Sequence, residues 1–150
     1  MLKCINGQNK AGIGEATEFF VSKERSIKSC FIVQDEKEHL LMGLTGGESL
    51  IYASRLKNSS TEKSLDHSKN AKILMKDLMI SDTANTIVKN CSGGEMKRLA
   101  IAMELTSFVK PNLICFDEPT SGLDSNAAEL VIYHIHFKSD FIQTKNSTKF

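Results

Sequence analysis

Leu113-Ile114-Cys115-Phe116 is a continuous apolar run closed by Asp117-Glu118-Pro119. Such a run, bounded by acidic and turn-forming residues, predicts a short central strand of a parallel sheet, buried on both faces. Parallel strands need helices to cover them, so this segment commits the chain to an α/β arrangement. It also delivers two adjacent carboxylates at the C-terminal end of the strand, the edge where α/β folds place their ligands. A second compact run, Ser29-Cys30-Phe31-Ile32-Val33, ends in Gln34-Asp35-Glu36 and predicts a second strand followed by a polar cluster.

Between these strands the pattern is helical. Thr45-Gly46-Gly47-Glu48 has the form of a capping box and precedes Leu50, Ile51, Ala53 and Leu56, so a helix should run to about Lys57. Ser59 to Glu62 repeats the capping form, and Ala71, Leu74, Met75, Leu78 and Met79 follow at helical spacing. A third box, Ser92-Gly93-Gly94-Glu95, opens a helix through Leu99, Ala102, Met103 and Leu105 to about Phe108, with Pro111 as its stop. Asp124 or Ser125 caps a last helix through Ala128, Val131, Ile132 and Ile135. At the N-terminal end, Leu2 to Gly7 reads as one arm of a hairpin, and a short helix is expected around Phe19 and Phe20. The stretch 138–150 is polar and unpatterned and reads as a tail. The two G-G-E boxes share only their capping chemistry and do not make an internal repeat.

Composition bounds the function. The chain has 150 residues, 41% hydrophobic and 25% charged, which suits one globular domain or part of one. Nineteen basic against 18 acidic residues give a charge of +1, so no broad cationic field exists for wrapping nucleic acid. Any phosphate binding must be local. Cys4, Cys30, Cys91 and Cys115 form no C-x-x-C pair and, without a secretory leader, are expected to be buried thiols of a reducing compartment. No apolar run approaches the roughly 18 residues of a membrane span, so this stretch is expected to be soluble or peripheral.

Four elements carry chemistry. After the strand at 113–116, Asp117 suits a metal-bound water of Mg²⁺ and Glu118 suits orienting or deprotonating an attacking water, a Walker B arrangement with a catalytic glutamate. An acidic strand end placed for solubility is the plain alternative. Ser92-Gly93-Gly94-Glu95 offers a hydroxyl and backbone N–H groups to an anion at a helix start, against the alternative of a simple cap. Ser121-Gly122-Leu123-Asp124 is a turn plus helix cap, and Gln34 a solvated strand end, unless they belong to the same site.

In this order the four elements resemble the Q-loop, signature, Walker B and D-loop of the ABC ATPase family. The wording from Cys91 to Leu105, from Phe116 to Ser125 and from Ser29 to Glu36 is similar to subfamily G, the white-brown-complex half-transporters, and the resemblance covers about Lys3 to Tyr133. It implies an ATP-binding and ATP-hydrolysing motor, with ATP and Mg²⁺ as cofactors. It also implies a P-loop NTPase-like α/β fold. The implied domain spans 1–137, with a helical subdomain over about 45–108 beside an incomplete parallel sheet and a divergent tail over 138–150.

By the same resemblance, Glu118 activates water and Asp117 assists Mg²⁺. Gln34 senses the γ-phosphate and touches Mg²⁺, and Asp124 connects the two sites. Ser92, Gly93, Gly94 and Glu95 form the nucleotide-binding signature, gripping the γ-phosphate held by a partner chain. The implied partners are a second nucleotide-binding domain, in a homo- or heterodimer, and the transmembrane domain of a half-transporter, with no nucleic acid. The implied place is the cytoplasmic face of a membrane.

The departures shape the expectation. No G-x-x-x-x-G-K-[ST] occurs, and Gly46-Gly47-Glu48-Ser49 is a decoy whose glutamate stands where a phosphate loop needs lysine. His134 and His136 come too early for the switch histidine, and His39 and His67 are expected to be structural or surface residues. The signature starts with Cys91 where leucine or valine is commoner. The stretch is therefore expected to begin after the phosphate loop and end before the switch region, and to be inactive alone. Rival readings are a non-catalytic partner that supplies only its signature face, and a soluble ABC ATPase, which the neutral charge disfavours.

Overall fold

The computed structural model describes residues 29–32, 40–59, 65–109, 111, 113–116 and 123–138. The expected N-terminal hairpin arm, the helix around Phe19 and Phe20, and the stretch 139–150 lie outside them. Strands β1 (Ser29–Ile32) and β2 (Leu113–Phe116) form a parallel pair, with Ser29 opposite Leu113 and Ile32 opposite Phe116. Side chains alternate across a strand, so Cys30, Ile32 and Ile114 share one face and Cys115 lies on the other. Cys30, Ile32 and Cys115 are all buried.

Helices α1 (Gly46–Lys57), α2 (His67–Asp77) and α3 (Gly93–Leu105) form the crossover between the strands, and α4 (Ser125–Lys138) follows β2. Helix α1 buries Ser49, Leu50, Ala53 and Ser54, an i, i+1, i+4, i+5 stripe facing α2 and α3. Helix α2 buries Ala71, Leu74 and Met75 on the matching face. In α3, Leu99, Ala100, Ile101 and Ala102 are buried in succession, because the helix is covered by α1 and α2 on one side and by β1 and α4 on others. Leu50, Leu74, Leu78, Leu99, Ile101 and Val131 form the centre of this core. Each fully buried side chain of this size stabilises the fold by about 1.5–3 kcal/mol.

Both predicted capping boxes form. Thr45 accepts the Glu48 N–H at 3.2 Å and gives its own N–H to Glu48 Oε2 at 2.8 Å. Ser92 and Glu95 do the same at 3.3 and 2.7 Å. The start of α2 differs from the expectation: Asp66, in extended backbone, accepts the Lys69 N–H at 2.9 Å and is the cap, not the 59–62 segment.

Two helix ends also differ. Met79 is not the last residue of α2 but leaves it at φ 53, closing a left-handed turn in which the Ile80 N–H reaches Met75 O and the Met79 N–H reaches Lys76 O. Helix α3 stops at Leu105, well before Pro111. Thr106 turns its hydroxyl back onto Met103 O, and Asn58 captures the Phe108 N–H. The sequence pattern did not reveal the two 3₁₀ turns, Ser81–Thr83 and Val88–Asn90, which carry the chain from α2 to α3.

Candidate functional site

The parallel register sets the first part of the site. Ile32 and Phe116 stand opposite one another, so both strands end at one edge, where β1 leads within two residues to Gln34 and β2 leads directly to Asp117 and Glu118. Those three residues lie outside the described ones. The edge itself is the C-terminal side of a parallel pair, the location at which α/β sheets bind ligands.

The second part is the N-terminus of α3. The first turn of a helix leaves backbone N–H groups without intrahelical partners, and its dipole favours an anion there. Ser92 and Gly93 are exposed, and a Cβ built on Gly93 meets no atom within 4 Å. The N–H groups of Gly93 and Gly94 have no acceptor among the described residues. The space and the free donors fit a phosphate oxygen.

Helix α1 begins with the same T/S-G-G-E form and is closed to such a ligand. Its Gly46 N–H donates to Thr86 O and its Gly47 N–H to Ala84 O, both at 3.1 Å. Thr45 also bridges to Ile87, and the Val88 N–H donates to Leu44 O at 2.8 Å. A Cβ on Gly46 would stand 2.7 Å from Thr83 O, and one on Gly47 would stand 2.8 Å from Ala84 O. The glycines of α1 are there for close backbone approach, whereas Gly93 opens onto free space. Packing thus separates two boxes that the sequence wrote almost identically.

Two carboxylates near the α3 start share one cationic neighbour. The Ser92 N–H and hydroxyl both donate to Glu95 Oε2, at 2.7 Å each, and hold the Glu95 carboxyl below its ordinary range, with Arg98 adding to the effect. Asp124 caps α4 by accepting the Ala127 N–H at 3.0 Å, and that bond holds its carboxyl low, again with help from Arg98. Arg98 therefore stands near enough to both carboxylates to favour their charged forms. Its Nε is buried with no hydrogen-bond partner among the described residues. Sequence reasoning passed over Arg98. The i, i+3 spacing from Glu95 was the available signal.

The family model described as ABC transporter matches residues 1–121. The chain belongs to the ABC transporter family. It is 37% identical over 112 residues to the broad substrate specificity ATP-binding cassette transporter ABCG2 of Mus musculus, covering 69% of the chain and 16% of that relative. To ABC transporter G family member 22 of Arabidopsis thaliana it is 35% identical over 120 residues, 77% of the chain and 15% of the relative. ATP-binding cassette sub-family G member 8 of Rattus norvegicus is 28% identical over 141 residues, 88% of the chain and 20% of that protein. The chain thus spans about a sixth to a fifth of the length of these curated relatives.

The family match and the subfamily G relatives support an ATP-binding motor domain of an ABC transporter. Of the residues which the subfamily G wording singles out, Ser92, Gly93, Gly94, Glu95 and Asp124 are described, and the Arg98 charge favours the ionised form of the last two. No group of three metal-ligating side chains occurs among the described residues, and Gln34 and Asp117, expected to serve Mg²⁺, lie outside them. His67 has a structural place: its Nδ1 is 2.9 Å from Ser54 Oγ, between α1 and α2. Among the described residues no helix is long and apolar enough to cross a membrane.

Proposed function

We propose that this chain is the Q-loop-to-D-loop portion of the nucleotide-binding motor of a subfamily G ABC transporter, with ATP and Mg²⁺ as its cofactors. The observation that carries the reading is the open start of α3, where the Gly93 and Gly94 N–H groups have no acceptor among the described residues, set against the closed start of α1. In this reading Ser92, Gly93 and Gly94 bind a γ-phosphate presented by a second nucleotide-binding domain. Glu95 keeps the Ser92 N–H while the Ser92 hydroxyl turns outward to donate to the phosphate. The positive end of α3 stabilises the added charge, and Arg98 offsets the repulsion from Glu95.

Bound Mg²⁺-ATP supplies the reactive phosphoryl group and the divalent charge that polarises it. Asp117 would help hold Mg²⁺ with Gln34, Glu118 would supply the base for an attacking water, and Gln34 would sense the bound phosphate. Asp124, fixed at the start of α4, connects the two sites of the dimer. The domain runs over 1–137 with an incomplete sheet, a helical subdomain at 45–108 and a separate tail over 138–150. Its partners are a second nucleotide-binding domain and the transmembrane domain of a half-transporter at the cytoplasmic face of a membrane.

The test mixes the 150-residue chain with an intact subfamily G nucleotide-binding domain whose own signature is disabled. ATP-dependent association that is lost in Gly94→Asp is expected, since a carboxylate at that position repels phosphate and fills its space. The chain alone with Mg²⁺-ATP should release phosphate only at background rate, because no G-x-x-x-x-G-K-[ST] in it holds the β- and γ-phosphates. Association indifferent to Gly94→Asp, or a turnover of the lone chain that disappears in Glu118→Gln, would overturn the reading.

A further inference from the structure

One carboxylate oxygen joins three elements at the end of α3 remote from Ser92. Cys30 Sγ, in β1, donates to Glu104 Oε2 at 2.9 Å. Lys57 Nζ, in the last turn of α1, lies 2.6 Å from the same oxygen. Glu104 itself belongs to the last turn of α3, where no basic residue is present and the helix dipole disfavours a negative charge. A glutamate at this position works against the helix that carries it.

Stability is a poor explanation for the arrangement. The Lys57 and Glu104 side chains are 29% and 31% exposed, and ion pairs of that exposure contribute little. The thiol is only a weak donor. What the cluster does have is reach. Burial first, and the Glu104 charge second, push the Cys30 thiol far above its ordinary range, so it stays protonated and remains a donor. Glu104 is thereby the shared acceptor for a strand and a helix, while its own helix runs about 18 Å to Ser92 at 1.5 Å per residue.

We propose that Glu104 is a positioning residue: by holding Cys30 and Lys57 on one oxygen, it fixes the strand that leads to Gln34 against α1 and the far end of the signature helix. The inference rests on the motor reading above. It adds that the C-terminal end of β1 and the start of α3 at Ser92 to Gly94 keep their separation through this carboxylate. Removing it leaves the buried thiol without an acceptor and frees α1 from the strand. The signature then still binds, but in a register less suited to the reaction.

The test uses the 150-residue chain with three substitutions, Glu104→Gln, Lys57→Met and Lys57→Arg. In the chain alone, the S–H stretching band assigned by difference against Cys30→Ser should move to higher frequency in Glu104→Gln, because a neutral amide oxygen is the weaker acceptor. A band that does not move overturns the proposal at its geometric premise. The chain is then titrated into the signature-disabled intact domain, and the stimulated ATPase is measured. Glu104→Gln and Lys57→Met should lower the saturating turnover on the order of tenfold with the half-saturating chain concentration within about twofold, the pattern of a lost transition-state effect. Lys57→Arg, which keeps the charge, should restore it.

Unchanged turnover overturns the proposal while leaving the motor reading standing. So does a loss of turnover and affinity together in step with a lowered unfolding midpoint, which marks a merely structural contact. If the unsubstituted chain gives no stimulation, the motor reading itself fails, and Glu104 with it. Should Glu104→Gln not fold, Lys57→Met, altered at a part-exposed side chain, carries the same comparison.

Discussion

Asn58 is the residue whose replacement should test the helical packing most sharply. It is 2% exposed and sits at the C-cap of α1, where its side chain serves three main-chain groups. Nδ2 donates to Ser54 O at 2.7 Å and to Thr106 O at 3.0 Å, and Oδ1 accepts the Phe108 N–H at 2.6 Å. In Asn58→Ala the three groups fare differently. Ser54 O keeps the Asn58 backbone N–H at 3.2 Å, and Thr106 O keeps only the long 3.4 Å bond from Asn70. The Phe108 N–H loses its acceptor. Phe108 is 56% exposed, so water can replace its acceptor; each of the three lost bonds then costs about 0.5–1 kcal/mol, and the sum is about 1.5–3 kcal/mol.

The readout is amide exchange by mass spectrometry on the 150-residue chain, which reports local opening directly. At about 1.4 kcal/mol per tenfold, exchange at Thr106 to Phe108 should quicken by at least about tenfold. Asn58→Asp adds a sign. The introduced carboxyl keeps the acceptor for Phe108 but turns a charge toward the Ser54 and Thr106 carbonyls in a buried position, so its pKa rises in the fold. A group with a raised folded pKa is best tolerated while protonated, so this variant should approach the parent in acid and lose stability as pH rises past the ordinary aspartate range. Exchange at Phe108 unchanged in Asn58→Ala, or an Asn58→Asp penalty flat with pH, would refute the account of the junction.

Three further outcomes follow from the geometry. Met79→Gly should stabilise the chain by about 0.5–1 kcal/mol, since a side chain at φ 53 is strained and Met79 is 65% exposed, with little packing to lose; a lower unfolding midpoint would contradict this. Gly46→Ala should destabilise by about 1–3 kcal/mol through its clash with Thr83 O, while Gly93→Ala, opening onto free space, should leave the unfolding midpoint nearly unchanged; equal effects would remove the contrast between the two helix starts. Glu95 has its folded pKa depressed by Ser92, so its capping contribution is full above the ordinary glutamate range and is lost as pH falls through the depressed value. Acid should therefore lower protection against exchange, relative to the intrinsic rate at each pH, in the first turn of α3 in the parent and not in Glu95→Gln.

The parts of this molecule that were legible in the sequence are those fixed by contacts near in the chain. Thr45 with Glu48 and Ser92 with Glu95 are three residues apart, and both boxes form as read. Leu113 to Phe116 is a strand to the residue because its apolar run is bounded by residues that do not continue it. Pattern failed where a distant group decides the outcome. Pro111 marks a stop for α3 in the sequence, but the helix ends at Leu105, and Asn58, 50 residues from Phe108, takes the Phe108 N–H. Met79 fits the apolar period of α2, yet the turn needed to bury Ile80 beside Met75 drives it out of the helix.

The candidate site divides in the same way. Ser92 and Gly93 could be singled out from their order along the chain, but the difference between their helix start and the one at Thr45 lies in Ala84 and Thr86, carbonyls that no local window associates with Gly46 and Gly47. A glycine pair at a helix start therefore has two physical meanings, and only the neighbouring backbone tells them apart. Where a carbonyl already occupies the N–H groups, as at Gly46 and Gly47, the glycines serve packing; at the start of α3 no acceptor among the described residues does so, and Gly93 opens onto free space.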